Sequence, residues 1–118
     1  MDKQKQGHMN LHSEMLERLV RGLCEIYGDL VLSIILYGSA ARGSNTDESD
    51  IDIAVLIKDG QTREMYDSMS SLVVDLQLEY DKVLSVLRID YNKFKQWENV
   101  MPFYVNVKKD GIVLWKAA

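Results

Sequence analysis

Two aspartates near the middle of the chain have the spacing of residues that act on one ligand. Asp50 and Asp52 open the run DIDIAVLI (50–57), whose apolar and β-branched residues predict a buried strand. Residues two apart on a strand project from the same face, with their Cα atoms about 6.5–7 Å apart. Two carboxylates that close repel each other unless a cation lies between them, and Mg²⁺ or Mn²⁺ accepts such oxygen ligands. The pair therefore predicts a divalent-metal site.

A second candidate group comes earlier, at the end of another apolar run. Residues 30–37 (LVLSIILY) predict a buried strand, and Gly38 and Ser39 follow it. Glycine permits a sharp bend and the close approach of a ligand, while free N–H groups and a hydroxyl at a helix start suit a phosphate. A Gly-Ser pair alone is often an ordinary turn, and an Asp-x-Asp alone is often a solvated edge. Together, flanked by two predicted strands, they predict a site for phosphoryl or nucleotidyl transfer.

The string GSAARGSNTDESDIDIAV (38–55) resembles the minimal nucleotidyltransferases of the DNA polymerase β-like superfamily. These are small proteins that are often encoded beside a HEPN-type toxin. The superfamily signature is a Gly-Ser pair, ten intervening residues and then Asp-x-Asp, which here are Gly38-Ser39 and Asp50-Ile51-Asp52. The resemblance implies that the Gly-Ser pair contacts the phosphates of a nucleotide and that the two aspartates hold the catalytic metal ions.

The same resemblance gives roles to two further residues. Arg42 and Gly43 belong to the family's Ala-Arg-Gly segment and would lie beside the triphosphate. The Arg42 guanidinium could pair with a phosphate oxygen. A solvated helix cap is the alternative interpretation of this arginine.

One departure from the family pattern concerns a third carboxylate. The superfamily usually supplies it from the next core strand, where it helps to bind metal and to deprotonate the attacking hydroxyl. Residues 83–89 (VLSVLRI) predict that strand, and the alignment places Ser85 where the acid is expected. Glu79, Asp81 and Asp90 are nearby acids, and none of them is in clear register with that position. Asp81 is the best substitute as a third metal ligand.

The implied function is metal-dependent transfer of a nucleoside monophosphate, AMP from ATP or another NTP, to a hydroxyl acceptor. By resemblance, the acceptor is a tyrosine of a HEPN toxin partner, which would make the chain an antitoxin. The alternative is a catalytically weak or inactive antitoxin or regulatory module with a residual nucleotide site. Ser85 favours that alternative, while the retained Asp50 and Asp52 argue against it. A third hypothesis, transfer to a small molecule such as an aminoglycoside, needs a second domain or a dimer to build the acceptor pocket.

The remaining sequence supplies the elements that must position these residues. Side chains alternate between the two faces of the second strand. The face that carries Asp50 and Asp52 also carries Ala54 and Leu56. The opposite face carries four apolar residues: Ile51, Ile53, Val55 and Ile57. Helices are predicted from Leu11 to Gly28, over 62–80 with Thr62 as N-cap, over 91–98, and from Pro102 to Gly111, before a final apolar segment over 112–115. Residues 72–78 also alternate like a strand.

We expect an α/β (α+β) nucleotidyltransferase-type fold with a small mixed sheet, in a single domain over 9–118 that follows a flexible tail over 1–8.

Composition limits the class of protein. The chain has 118 residues, a net charge of −4 and one cysteine, which excludes a disulfide scaffold, a cysteine-based zinc cluster and a strongly basic footprint for nucleic acid. No apolar run approaches the roughly 18 residues of a membrane helix, so we expect no membrane attachment. The single cysteine and the absence of a secretory pattern lead us to expect a cytoplasmic protein. Cys24 is expected in the core, and a homodimer is left open.

Other residues with chemical potential have simpler interpretations. His8 and His12 are spaced to ligate a metal on a helix, but solvated surface is the preferred interpretation. Four lysines are expected on a solvated face, and four aromatic residues are expected in the core rather than on a stacking surface. These are Lys93, Lys95, Lys108 and Lys109, and Trp97, Phe103, Tyr104 and Trp115.

Overall fold

A four-stranded mixed sheet with helices on both faces forms the molecule. The computed structural model describes residues 3–43 and 50–118. In order along the described chain, the elements are α1 (Lys3–Tyr27), a 3-10 turn (Gly28–Leu30), β1 (Val31–Tyr37), α2 (Gly38–Arg42), β2 (Ile51–Ile57), α3 (Arg63–Tyr80), β3 (Leu84–Asp90), α4 (Tyr91–Trp97), α5 (Pro102–Asp110) and β4 (Ile112–Lys116). The predicted α/β class with a small mixed sheet is confirmed.

The strands lie in the order β3-β2-β1-β4. β1 runs antiparallel to both β2 and β4, whereas β2 and β3 are parallel. The parallel pair is joined by α3, because a parallel connection must cross from one end of the sheet to the other. Both strands with the predicted site segments, β1 and β2, are therefore central, and β3 lies beside β2.

Alternation along β2 divides the molecule into two layers, as predicted. The isoleucines of β2 and Val55 join the larger core with α1 and α3. Ala54 and Leu56 point to the other side, where they join a smaller core with Phe94 of α4 and Val107 of α5. Because Asp52 has the same parity as Ala54, its side chain belongs to the α4–α5 face.

The predicted helix over 62–80 forms, and the strand-like alternation of residues 72–78 is not used. The Thr62 hydroxyl caps α3 by accepting a hydrogen bond from the Met65 N–H at 3.1 Å. Met69 and Leu76, two helical turns apart, are buried against the sheet. The spacing of the buried residues therefore follows the helical period.

Two expectations are corrected. The first helix begins at Lys3, so residues 3–8, predicted as a loose tail, are helical. Four of these six residues are lysine or glutamine, whose straight side chains favour a helix. Trp97 and Phe103, predicted as core, are 39% and 38% exposed, because the smaller core is filled by other side chains of α4 and α5.

Other expectations agree with the structure. Gly28 ends α1 with a positive φ, and Gly111 closes α5 by donating to the Val107 carbonyl at 2.9 Å. Cys24 packs against the larger core, where burial raises the pKa of its thiol. In the part of the chain that the structure describes, no helix has the length and apolar character needed to cross a bilayer.

Candidate active site

Asp52 lies in the middle of a row of three side chains that crosses the sheet. It is the second residue of β2, and its neighbours across the sheet are Tyr37 on β1 and Ser85 on β3. Laterally paired residues project from the same face, which here is the α4–α5 face. Asp52 is half-buried, whereas Asp50, just before the strand, is exposed. The row therefore lies at the end of the sheet where the Asp50 carboxylate meets solvent.

Gly38 brings the end of β1 against this carboxylate. Its φ is +74°, a left-handed conformation that glycine adopts without a steric penalty. A Cβ at this position would lie 2.5 Å from Asp52 Oδ2. The structure thus places the Gly-Ser segment beside the aspartate pair, and the absence of a side chain at Gly38 leaves room for the carboxylate.

The two aspartates interact electrostatically. Burial raises the pKa of Asp52, and the negative charge of Asp50 raises that pKa further. Burial, and then the charge of Asp52, also raises the pKa of the Tyr37 phenol, which therefore stays protonated at neutral pH. The site holds negative charge that a cation would neutralise.

The donor set fits a hard divalent cation. Two carboxylates with one open side are typical of Mg²⁺ sites, in which water and substrate phosphates supply the other ligands. Among the side chains that the structure describes, no group of three or more from His, Cys, Asp or Glu is arranged to hold a metal. An ion bound by Asp50 and Asp52 would therefore have no third ligand from a described His, Cys, Asp or Glu side chain.

Ser85 stands at the sheet position next to Asp52 where the family pattern expects an acid. It is exposed, and the β2–β3 register pairs it directly with Asp52. Asp81 lies three residues before β3 as the left-handed C-cap of α3 and is exposed. The described structure does not gather Asp81 with the aspartate pair into a metal-holding group, so its role as a third ligand stays a prediction.

Two other acids named from the sequence lie elsewhere. Asp90 pairs with Ile57 at the opposite end of β3. Glu79 forms an ion pair with Arg18 on α1 at 2.5 Å. Neither acid is a neighbour of Asp52 in the sheet.

The other predicted phosphate contacts are on α2 and just after it. Ser39 is the second residue of α2 and is half-buried. Arg42 ends α2, with its side chain outside the described part, and Gly43 follows with a φ of +75°. Residues 44–49, between this segment and β2, are also outside the described part, as are the side chains of His8 and His12.

Sequence reasoning missed two aromatic residues at the site. Tyr37 was assigned only to a strand, yet it is the cross-strand partner of Asp52. The Phe103 ring stands edge-on to the Tyr37 ring, with centroids 5.5 Å apart and an angle of 86° between the planes. The position of Tyr37 immediately before Gly38 was the one available signal, because a residue next to a predicted phosphate-binding turn is expected near the same ligand.

Two lysines of the basic C-terminal half form ion pairs within the chain. Lys95 and Lys108 contact the carboxylate of Glu98 at 2.9 and 3.3 Å. The Lys95 and Lys108 partners hold the pKa of Glu98 below its usual range. These two lysines join α4 to α5. The four lysines expected on a solvated face are all exposed.

Comparison with known proteins gives a consistent assignment. A family model described as a nucleotidyltransferase domain matches residues 16–110. A Methanocaldococcus jannaschii protein, named "Putative protein adenylyltransferase MJ0604", is 33% identical over 103 residues, which cover 85% of this chain and 94% of that protein.

Two solved structures share the fold. A chain of the crystal structure of a toxin-antitoxin with AMP-PNP has a TM-score of 0.56 at 22% identity, over 86% of this chain and 73% of that chain. A chain of the tri-AMPylated Shewanella oneidensis HEPN toxin in complex with MNT antitoxin has a TM-score of 0.50 at 19% identity, over 87% of this chain and 73% of that chain. The family match spans most of the sequence, including β1, α2 and β2 with their Gly-Ser and Asp-x-Asp residues. The chain therefore belongs to the nucleotidyltransferase domain family of enzymes.

Proposed function

We propose that the chain transfers AMP from ATP to a hydroxyl of a protein acceptor, in an antitoxin role, with Mg²⁺ or Mn²⁺ bound by Asp50 and Asp52. The observation that carries the proposal is the packing of the Asp52 carboxylate against Gly38 with Asp50 two residues away. The name of the Methanocaldococcus relative supports a protein acceptor. The neighbour that contains an AMPylated HEPN toxin supports a partner of that class. The acceptor group proposed within that partner is a tyrosine, as the family resemblance implies.

Each residue of the site has a role in this reaction. Asp50 and Asp52 hold the cation, which when bound neutralises charge on the phosphates and aligns the reacting oxygens. The Gly38 and Ser39 N–H groups and the Ser39 hydroxyl donate to phosphate oxygens, and Arg42 and Gly43 lie beside the triphosphate. The hydroxyl oxygen of the acceptor bonds to the α-phosphorus, the bond to the bridging oxygen breaks, pyrophosphate leaves, and the acceptor proton passes to solvent or to a base of the partner.

A second candidate function is favoured by Ser85. A serine beside Asp52 supplies neither a negative ligand nor a base at neutral pH, as a carboxylate would. The alternative is therefore a regulatory antitoxin that binds its partner and nucleotide without efficient transfer. The two functions share the nucleotide site and differ in turnover.

The decisive experiment replaces Asp50 and Asp52 together by Asn. We expect calorimetry to show that Mg²⁺-dependent ATP binding is lost while the variant stays folded, because the cation ligands are gone and a repelling pair is removed. Asp75→Asn, which removes an exposed carboxylate from α3, is the matched control and should bind like the wild type. Undiminished Mg²⁺-dependent affinity in the folded double variant would refute the site.

A labelling assay separates the two functions. The wild-type chain is incubated with Mg²⁺ and ATP labelled at the α-phosphate, with and without the product of the neighbouring gene. Covalent labelling of that product supports transfer. ATP binding and complex formation without labelling would favour the regulatory antitoxin.

A further inference from the structure

A row of aromatic rings crosses the α4–α5 side of the sheet and ends beside Asp52. The ring centroids of Phe94 and Tyr104 are 5.3 Å apart, and those of Tyr104 and Phe103 are 5.9 Å apart. Phe103 then contacts Tyr37, the cross-strand partner of Asp52. Phe94 is buried, whereas 38% of Phe103 is exposed. The row therefore leads from the smaller core to an exposed ring near the candidate site.

The position of Phe103 is set by the elements that carry the site. Phe103 is the second residue of α5, directly after Pro102, and α5 packs against both α2 and β1. The edge-on contact with Tyr37 and the tilted contact with Tyr104 hold the ring from two sides. An apolar ring held in place while partly exposed to water gains free energy when a flat ligand covers it.

We propose that Phe103, supported by Tyr37, is the surface on which the base of the bound nucleotide stacks. This inference rests on the proposed function, since it takes the α-phosphate to lie at Asp50 and Asp52. A ribose joins that phosphate to the base, and Phe103 is separated from Asp52 by one side chain, Tyr37. An exposed ring therefore lies within reach of the base.

Stacking predicts a particular kind of nucleotide preference. Every base has a π-face, so a single ring without hydrogen-bonding groups accepts ATP and GTP alike and favours the larger purines over pyrimidines. Phe103 offers no polar atom to read the base edge. We expect similar affinities for the Mg²⁺ complexes of ATP and GTP, and weaker binding of CTP and UTP.

The experiment compares ligands with and without a base. Calorimetry measures the affinities of the wild type, Phe103→Ala, Phe103→Leu and Phe103→Trp for Mg²⁺–ATP and for Mg²⁺–tripolyphosphate, and thermal unfolding checks each fold. We expect Phe103→Ala and Phe103→Leu to weaken the affinity for Mg²⁺–ATP about tenfold and to leave the affinity for Mg²⁺–tripolyphosphate unchanged. The Phe103→Trp variant should keep both affinities. Phe103→Leu retains an apolar contact for Tyr37, so it tests the ring itself if the Ala variant unfolds. Trp97→Ala, which removes a similarly exposed ring from α4, is the control and should change neither affinity.

Several outcomes would overturn the inference. Equal losses for both ligands would mean that Phe103 acts through the fold of α5 and α2, and unchanged ATP affinity would exclude stacking. Unchanged ATP affinity with slower labelling of the partner protein would assign the ring to the acceptor instead. A failure of the proposed function would give a different result: the Asp50→Asn/Asp52→Asn variant would then still bind Mg²⁺–ATP.

Discussion

At the scale of single residues, folding disfavours the ionised form of the Asp52 side chain relative to its protonated form. Burial and the charge of Asp50 both raise its pKa, and the contact with Gly38 limits where the carboxylate can move. Perturbation by burial together with a like charge is common where a protein is arranged to bind a cation. The folding free energy lost by burying the ionised Asp52 beside Asp50 is therefore consistent with a function for the pair.

The raised pKa of Asp52 predicts a pH dependence of stability. Since the folded pKa lies above the unfolded one, the ionised residue destabilises the folded chain at neutral pH, and this loss is relieved as pH falls through the folded pKa. Asp52→Asn should therefore be more stable than the wild type at neutral pH in metal-free buffer. The difference should shrink on acidification and vanish below the unfolded pKa of about 3.9. Urea unfolding across this range tests it, and a variant less stable than the wild type at neutral pH would contradict it.

Ser85 offers a second residue-level prediction. Ser85→Asp places a third carboxylate beside Asp52 on an exposed position of β3. We expect Mg²⁺ affinity to rise on the order of tenfold, because ligand charge tunes affinity for hard cations. Without metal, stability should fall because a third negative charge joins the pair.

Calorimetry with Mg²⁺ and the labelling assay measure the effect of this substitution. Leu87→Asp is the matched control, since it adds the same charge two residues further along the same face of β3, opposite Ala54. A folded Ser85→Asp protein with neither higher affinity nor faster transfer would contradict the assigned position of the third acid.

At the scale of elements, the junction between β1 and α2 decides how the site is assembled. The strand ends at Tyr37 and the helix begins at Gly38, so the chain turns within one left-handed residue. This turn sets α2 beside β2 and leaves the space that the Asp52 carboxylate occupies. A side chain at this position would disturb both the turn and the carboxylate.

Gly38→Ala tests this role of the turn. The left-handed conformation costs an alanine about 1–2 kcal/mol of folding stability, and the new methyl group displaces Asp52, so ATP binding should also be lost. Gly28→Ala is the matched control, because Gly28 has a φ of +53° and no heavy atom within 4 Å of the added Cβ. It should show a similar loss of stability in thermal unfolding with unchanged ATP affinity. Equal ATP affinity in the two variants would disprove the role of the turn.

At the scale of the whole molecule, the candidate site is open on one side. Asp50 is exposed and Asp52 is half-buried, so an acceptor approaching the pair is not enclosed by the described residues. Transfer needs the attacking oxygen about 3–3.5 Å from phosphorus and in line with the leaving group. A docked protein can hold one side chain in that geometry, whereas a free small hydroxyl compound is not held.

We therefore expect little transfer from the isolated chain to small hydroxyl compounds, and covalent labelling when the cognate partner is added. The net charge of −4 suits a basic partner, so the complex should weaken as salt increases. Labelling assays and pull-downs at low and high salt measure both effects. Efficient modification of a small molecule by the isolated chain, or no complex at low salt, would contradict this prediction.

Much of the fold follows from local sequence signals. The period of two along β2 assigned its residues to two faces because alternate side chains on any strand point to opposite sides. Thr62 marked the start of α3 because its hydroxyl caps the first turn. The Gly-Ser and Asp-x-Asp residues were recognisable because their chemistry depends on residue type and short-range spacing.

Only the tertiary structure decided which distant residues meet at the site. Tyr37 and Ser85 flank Asp52 because of the strand order and register, which depend on pairing between segments far apart in the chain. The exposure of Phe103 beside Tyr37 depends on how α5 packs against α2 and β1, and on which side chains fill the smaller core. Local spacing thus identified the candidate ligands of a cation and a phosphate, while long-range packing determined the rings and the hydroxyl that surround them.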